Sequence, residues 1–76
     1  MKELLACIAR HLVDNPDQVS VEAVMNGDTL TLQLRVAQED MGKVIGRQGR
    51  IAKEIRTLIK AAGLRENLRT SVDILD

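Results

Sequence analysis

The stretch Val44-Ile45-Gly46-Arg47-Gln48-Gly49-Arg50-Ile51 decides how this chain is read. Two glycines bracket two polar residues, aliphatic residues lead into them, and a strongly amphipathic segment follows. Glycine lacks a Cβ, so it turns sharply and lets another backbone come close. A helix starting at Gly49 would point its unpaired N–H groups and the positive end of its dipole into that turn, where a phosphodiester could be held. Spacing alone also fits a tight helix–loop–helix corner with no ligand. The surrounding charge favours the cradle.

Moving outward, residues 42–60 carry Lys43, Arg47, Arg50, Lys53, Arg56 and Lys60 against Glu54 alone. The whole chain has formal net charge zero, yet the balance is uneven. Its first forty residues hold three basic and seven acidic side chains, and the remainder hold eight and four. Such asymmetry points to a polyanion held by the half that contains the glycines. On the segment after the loop, Ile51, Ile55, Leu58, Ile59 and Ala62 form an apolar stripe at helical spacing. Arg50, Lys53, Arg56, Thr57 and Lys60 fall on the other side. The pattern predicts a helix from Gly49 to Ala62 with Gly63 as its stop, and places Ile45, Ile51 and Ile55 in the core; Leu58, at the edge of the stripe, reads as core or else as a subunit contact. Arg56 and Lys60 suit a solvated face as well as a ligand; Arg65 and Arg69 read as plain surface charges.

Glu39 to Ile45 reads as a short helix, weakened by Gly42. Before it, Val19, Val21 and Ala23 alternate with polar residues, as do Leu30, Leu32, Leu34 and Val36, which predicts two strands. Asn26-Gly27 suits a type I′ hairpin turn. With Met25 opposite Asp28, Ala23 faces Leu30, Val21 faces Leu32 and Val19 faces Leu34, all on one side. Lys2 to Val13 predicts an amphipathic helix with Leu4, Leu5, Ile8 and Leu12 inward, ended by Asn15-Pro16. Thr70 to Leu75 predicts a final strand, reached through helices and so paired parallel to the second. The order is α-β-β-α-α-β: one α+β domain over residues 1–76, with a three-stranded mixed sheet and helices on one face.

At 76 residues and 45% apolar content with no Phe, Trp or Tyr, the core is aliphatic and small. Charged residues at 29% fit a folded, soluble domain. No segment reads as a signal peptide or membrane span. The single Cys7 fits a reducing cytoplasm and reads as a small buried hydrophobe. His11, without a second His or a Cys pair, reads as a surface histidine. No metal-ligand spacing, nucleophile–base set or Walker lysine is present, so neither catalysis, metal nor cofactor is expected.

Order and loop together resemble the KH domain in its prokaryotic type II arrangement, over essentially the whole chain. The stretch from Val44 to Ile51 looks like that family's IGxxGxxI signature, with the last aliphatic shifted: Ile51 stands two residues after Gly49 and Ile55 supplies a later one. Gly42-Lys43-Val44-Ile45-Gly46 running into the loop, and Ile55-Arg56-Thr57 beyond it, are similar to the small free-standing bacterial KH proteins of the YlqC family. The resemblance implies a cytoplasmic, non-catalytic single-stranded RNA-binding protein, a chaperone or post-transcriptional regulator linked to cell elongation and envelope growth. It implies self-association as a homodimer and pairing with a larger multidomain KH protein, KhpB.

A KH domain clamps about four nucleotides with the GxxG loop against the backbone. By that resemblance the RNA-binding residues are Lys43, Val44, Gly46, Arg47, Gln48, Gly49, Arg50 and Lys53. Arg47 and Gln48 meet phosphate at the tip, Arg50 and Lys53 extend the track, and Val44 with Val36 lines an aliphatic groove for bases. The lack of aromatics sets the chain apart from RRM domains, which stack bases on such rings. It also implies modest affinity, raised by dimers or partner domains. A protein-interaction module with incidental RNA binding is the competing expectation.

Overall fold

The first helix, α1 (Lys2–Leu12), buries Leu5, Ala6 and Ala9 and half-buries Ile8 and Leu12. Its acidic Glu3 lies in the first turn and Arg10 and His11 in the last, matching the helix dipole. Leu4, expected inward, is largely exposed, and Cys7, expected buried, is exposed too. Both lie off the arc set by Leu5 and Ala9, and the small Ala6 and Ala9 let the helix lie close to the sheet. The computed structural model describes residues 1–75.

Pro16–Gln18 forms a 3-10 turn and leads into β1 (Ser20–Asn26), which pairs antiparallel with β2 (Thr29–Arg35). The register differs from the expected one by two residues. Asn26 pairs with Thr29, so Gly27 and Asp28 make the turn, and Val21 faces Leu34 while Ala23 faces Leu32. Gly27 has φ +62 and Asp28 is not left-handed, the pattern of a II′ turn with glycine first. A two-residue slip keeps every side chain on its face, so alternation cannot distinguish the two registers. Ala23 keeps that face but is exposed, because the helices do not cover the hairpin's far end.

After β2 a 3-10 turn (Gln38–Asp40) opens into α2 (Met41–Ile45), a second turn (Arg47–Gly49) follows, and α3 (Arg50–Arg65) runs back along the sheet. The helix α3 passes straight through Gly63, the expected stop. A Cβ there would lie 2.5 Å from Thr70 Cγ2 and 3.1 Å from the Leu68 carbonyl, so this glycine serves a close crossing of the returning chain. The stop is Asn67, left-handed at φ 59. Leu68 N–H donates to Gly63 O at 2.8 Å and Asn67 N–H to Leu64 O at 3.2 Å, the two bonds of a Schellman ending.

The last strand, β3 (Arg69–Leu75), pairs parallel with β2, giving sheet order β1-β2-β3 with β2 central. Helices pack on one side. Leu32, Leu34, Val21 and Val72 meet Leu5, Ala9, Val44, Ile55 and Ile59 there. Each fully buried Leu or Ile in this set contributes about 1.5–3 kcal/mol. On the other side, Thr31 and Ser71 join hydroxyl to hydroxyl at 3.0 Å. The α+β fold and its element order are those expected from the sequence.

Candidate nucleic-acid interface

Helix α2 is barely more than a turn long and ends because Gly46 leaves helical space, at φ 76 and ψ 175. Its N–H still closes the last turn on Gly42 O at 2.9 Å. Two left-handed residues follow in succession, Gln48 at φ 58, ψ 24 and Gly49 at φ 73, ψ 16. They reverse the chain, so that α3 starts at Arg50 with its N–H on Arg47 O. For glycine this geometry is free, whereas Gln48 holds it at a cost of about 1–2 kcal/mol.

The two glycines have different duties. A Cβ on Gly46 would strike Ile51, 2.6 Å from Cγ1 and 2.9 Å from Cβ. A Cβ on Gly49 would meet nothing within 4 Å. Gly46 therefore brings α2 and α3 together inside the molecule, and Gly49 leaves open space at the loop.

Arg47, Gln48, Arg50 and Lys53 are all exposed. Among the described residues, no carboxylate comes within ion-pair distance of Arg47, Arg50 or Lys53. Three unneutralised cations thus surround the reversed loop. Val44 and Val36 are not beside them as groove lining. Val44 is 0% exposed and Val36 is buried, because both face the sheet-side core. Val44 anchors α2 beneath the loop. Ile45, expected in the core, is turned about 100° from Val44 on this short helix and is 37% exposed.

Lys43 is placed differently again. Its ammonium lies 3.0 Å from Asp14 Oδ2 and 3.7 Å from Asp40 Oδ1. Asp40 is wholly buried, and accepts from the backbone N–H of Asp14 (3.3 Å) and Asn15 (3.0 Å) and from the Asn15 side-chain amide (3.0 Å). Burial by itself would push this carboxyl up. The Asn15 side chain, the two backbone amides and the Lys43 charge outweigh it and hold the group below its ordinary value. The Asp14 hydrogen bond and charge raise Lys43 above its ordinary value. Sequence reading missed this clasp between the end of α1 and the start of α2. Nothing in the spacing of Asp14, Asp40 and Lys43 marks it, since the hairpin brings them together.

Two of the grooves beside α3 bear on the interface. One, between α3 and β3, is a cavity of about 210 Å³ lined by Arg56, Lys60, Thr70, Ser71 and Val72. Arg56 Nε donates to Val72 O at 3.2 Å, which ties the cation to the strand. Thr70 and Ser71 were not foreseen here. Their strand was legible, but its place beside the basic face of α3 follows from the parallel pairing. The other groove, about 250 Å³, lies between α1 and α3 and is lined mainly by Ile8, Leu12, Ile51, Ile55 and Leu58. Leu58, for which the core was the first expectation and a subunit contact the second, is 54% exposed on its rim.

His11 is exposed as expected, its Nδ1 donating to the Cys7 carbonyl at 2.8 Å. Among the described residues no three His, Cys, Asp or Glu side chains gather as a metal site, and no helix is long and apolar enough to cross a membrane.

Comparison with known proteins agrees with this architecture. The model of the KhpA/KhpB KH domain matches residues 2–74. The chain is 59% identical to the RNA-binding protein KhpA of Clostridium acetobutylicum, over 99% of this chain and 100% of that protein. It is 43% identical to RNA-binding protein KhpA of Listeria monocytogenes, over the full length of both. Among solved structures, Aquifex aeolicus Era bound to GDP and aluminium fluoride is similar in fold, with TM-score 0.57 and 17% identity over 96% of this chain and 28% of that one. This chain belongs to the KhpA/KhpB KH-domain family.

Proposed function

We propose that this chain is a non-catalytic single-stranded RNA-binding protein that grips the sugar–phosphate backbone at the 46–49 loop. One observation carries the reading: Arg47, Arg50 and Lys53 stand exposed and, among the described residues, without acidic partners around a loop reversed by two left-handed residues. The names of its relatives, each an RNA-binding protein, support it. Phosphates meet Arg47, Gln48, Arg50 and Lys53, and Gly49 allows close approach. Bases lie along the α3–β3 groove, where Arg56, Lys60 and the hydroxyl of Thr70 offer polar contacts. Without aromatic stacking, each domain binds modestly. An RNA chaperone or post-transcriptional regulator in the cytoplasm, acting in cell elongation and envelope growth, is the role that fits such a binder in this family. Titrating labelled single-stranded RNA at several salt concentrations tests the reading. Binding that is absent, or indifferent to salt, would sink it.

A second reading has its own support in the groove between α1 and α3. Its apolar floor and the exposed Leu58 suit a second copy of this chain, or the KH domain of a larger partner of the KhpB type. The two readings are compatible, because the groove and the α3–β3 cleft lie on different sides of α3. Light scattering of the wild type and of Leu58→Glu separates them: a homodimer that uses this face becomes monomeric on substitution.

A further inference from the structure

Among the described residues, Lys43 is the one cation of the six in 42–60 that lies within ion-pair distance of carboxylates. The arrangement is lopsided. Asp40 is buried and its two oxygens are already occupied by three N–H donors, so it is fixed in place. Asp14 is well exposed, Lys43 is half-exposed, and their contact at 3.0 Å sits at the solvent boundary. An ion pair of that kind is weak and opens readily.

Lys43 also sits on the helix that delivers the loop. Gly46 follows it three positions later, about 4.5 Å of backbone rise along α2. Among the described residues two carboxylates gather at this one ammonium, whereas Arg47, Arg50 and Lys53 have none at ion-pair distance. A phosphodiester that reached Lys43 from the loop would compete with the Asp14 carboxylate for the same ammonium.

We infer that Asp14 sets how strongly this chain holds RNA, by keeping the Lys43 ammonium in an ion pair and out of the phosphate track. The inference rests on the RNA reading above. Lys43 stays protonated throughout the physiological range, since Asp14 raises its pKa, so opening the pair releases a full positive charge. In the wild type this cation contributes little to binding. Removing the Asp14 charge recruits it.

A double-mutant cycle on the full chain tests this, using a labelled oligouridylate at a series of salt concentrations. The variants are Asp14→Asn, Lys43→Gln and their combination, each checked by thermal melting. Asp14→Asn should tighten binding up to about fivefold and steepen the dependence of log K on log salt by about 0.7, one additional phosphate contact on a single strand. Lys43→Gln should erase the whole gain in the Asp14→Asn background, and should cost the wild type clearly less than it costs Asp14→Asn. If Lys43→Gln weakens the wild type as much as it weakens Asp14→Asn, Lys43 is already engaged and the inference is overturned. Were the gain to survive without Lys43, a bare field effect of Asp14 would replace it. Failure of the wild type to bind RNA at all would instead remove the underlying reading, and this one with it.

Discussion

A methyl group built on Gly46 would stand 2.6 Å from Cγ1 of Ile51, so these two residues share one space where α2 gives way to α3. The first glycine of the loop is thus a packing residue of the monomer, in addition to its turn at φ 76. Gly46→Ala should destabilise the fold by about 1–3 kcal/mol through overpacking and a left-handed alanine, and lose RNA binding only as a consequence. Thermal melting beside RNA titration checks this. A Gly46→Ala protein as stable as the wild type would refute it.

Gly49 offers the separable change. Its Cβ position is open, and aspartate tolerates left-handed backbone better than most residues. Gly49→Asp should cost about 1 kcal/mol in stability and still place a negative charge where phosphate is expected. The expected result is a folded protein whose RNA affinity falls at least about tenfold. Retained affinity in a folded Gly49→Asp protein would move the RNA site elsewhere.

The cations can be counted by salt. Arg47→Ala, Arg50→Ala and Lys53→Ala should each flatten the slope of log K against log salt by about 0.7, with little change in melting temperature because all three are exposed. Arg65→Ala, at the far end of α3, is the control and should leave the slope unchanged.

Asp40 makes an acid-sensitive clasp. Its folded pKa lies below the ordinary value of 3.8, so its contribution to stability is complete above that pH and is lost as pH falls through the depressed folded value. Asp40→Asn should lower the melting temperature at neutral pH, leaving the Asp14 and Asn15 amides with one acceptor oxygen in place of two. It should also remove part of the acid decline between about pH 4 and 2. Parallel acid curves for wild type and variant would show that Asp40 plays no such part.

These residues also show where the sequence was legible and where it was not. The element order, the parallel return of β3 and the basic face of α3 follow from alternation, helical spacing and the loop, all of which are local signals. The hairpin register did not, because Val21, Ala23, Leu32 and Leu34 keep the same face in either of two registers. Gly63 has the composition of a helix stop, yet its reason lies in Thr70, seven residues away and packed against it. Val44 and Leu58 both belong to helices of mixed pattern. Which of them faces the core depends on how α2 and α3 sit on the sheet, which places Val44 inside and Leu58 at the rim. The Asp14–Asp40–Lys43 clasp joins positions 26 residues apart in the chain and leaves no periodic trace.

The Gly63 crossing gives one more test. Gly63→Ala should destabilise by about 1–3 kcal/mol through Thr70, and the additional change Thr70→Ser, which removes the offending Cγ2, should recover part of that loss. Urea unfolding of the two variants checks the pair, and no recovery would point to the Leu68 carbonyl as the obstacle.

Each residue of β2 meets its β3 partner at a constant separation of forty positions, Thr29 with Arg69 through Arg35 with Leu75. On the ribosome, one flank of the central strand therefore stays bare until residue 75 has been made. The nascent hairpin has an open edge in that interval, and the helices have an incomplete floor to settle on. Assembly of this domain is consequently a late, nearly all-at-once event, and a stalled or truncated product lacking β3 would present a sticky β2 edge to quality-control machinery.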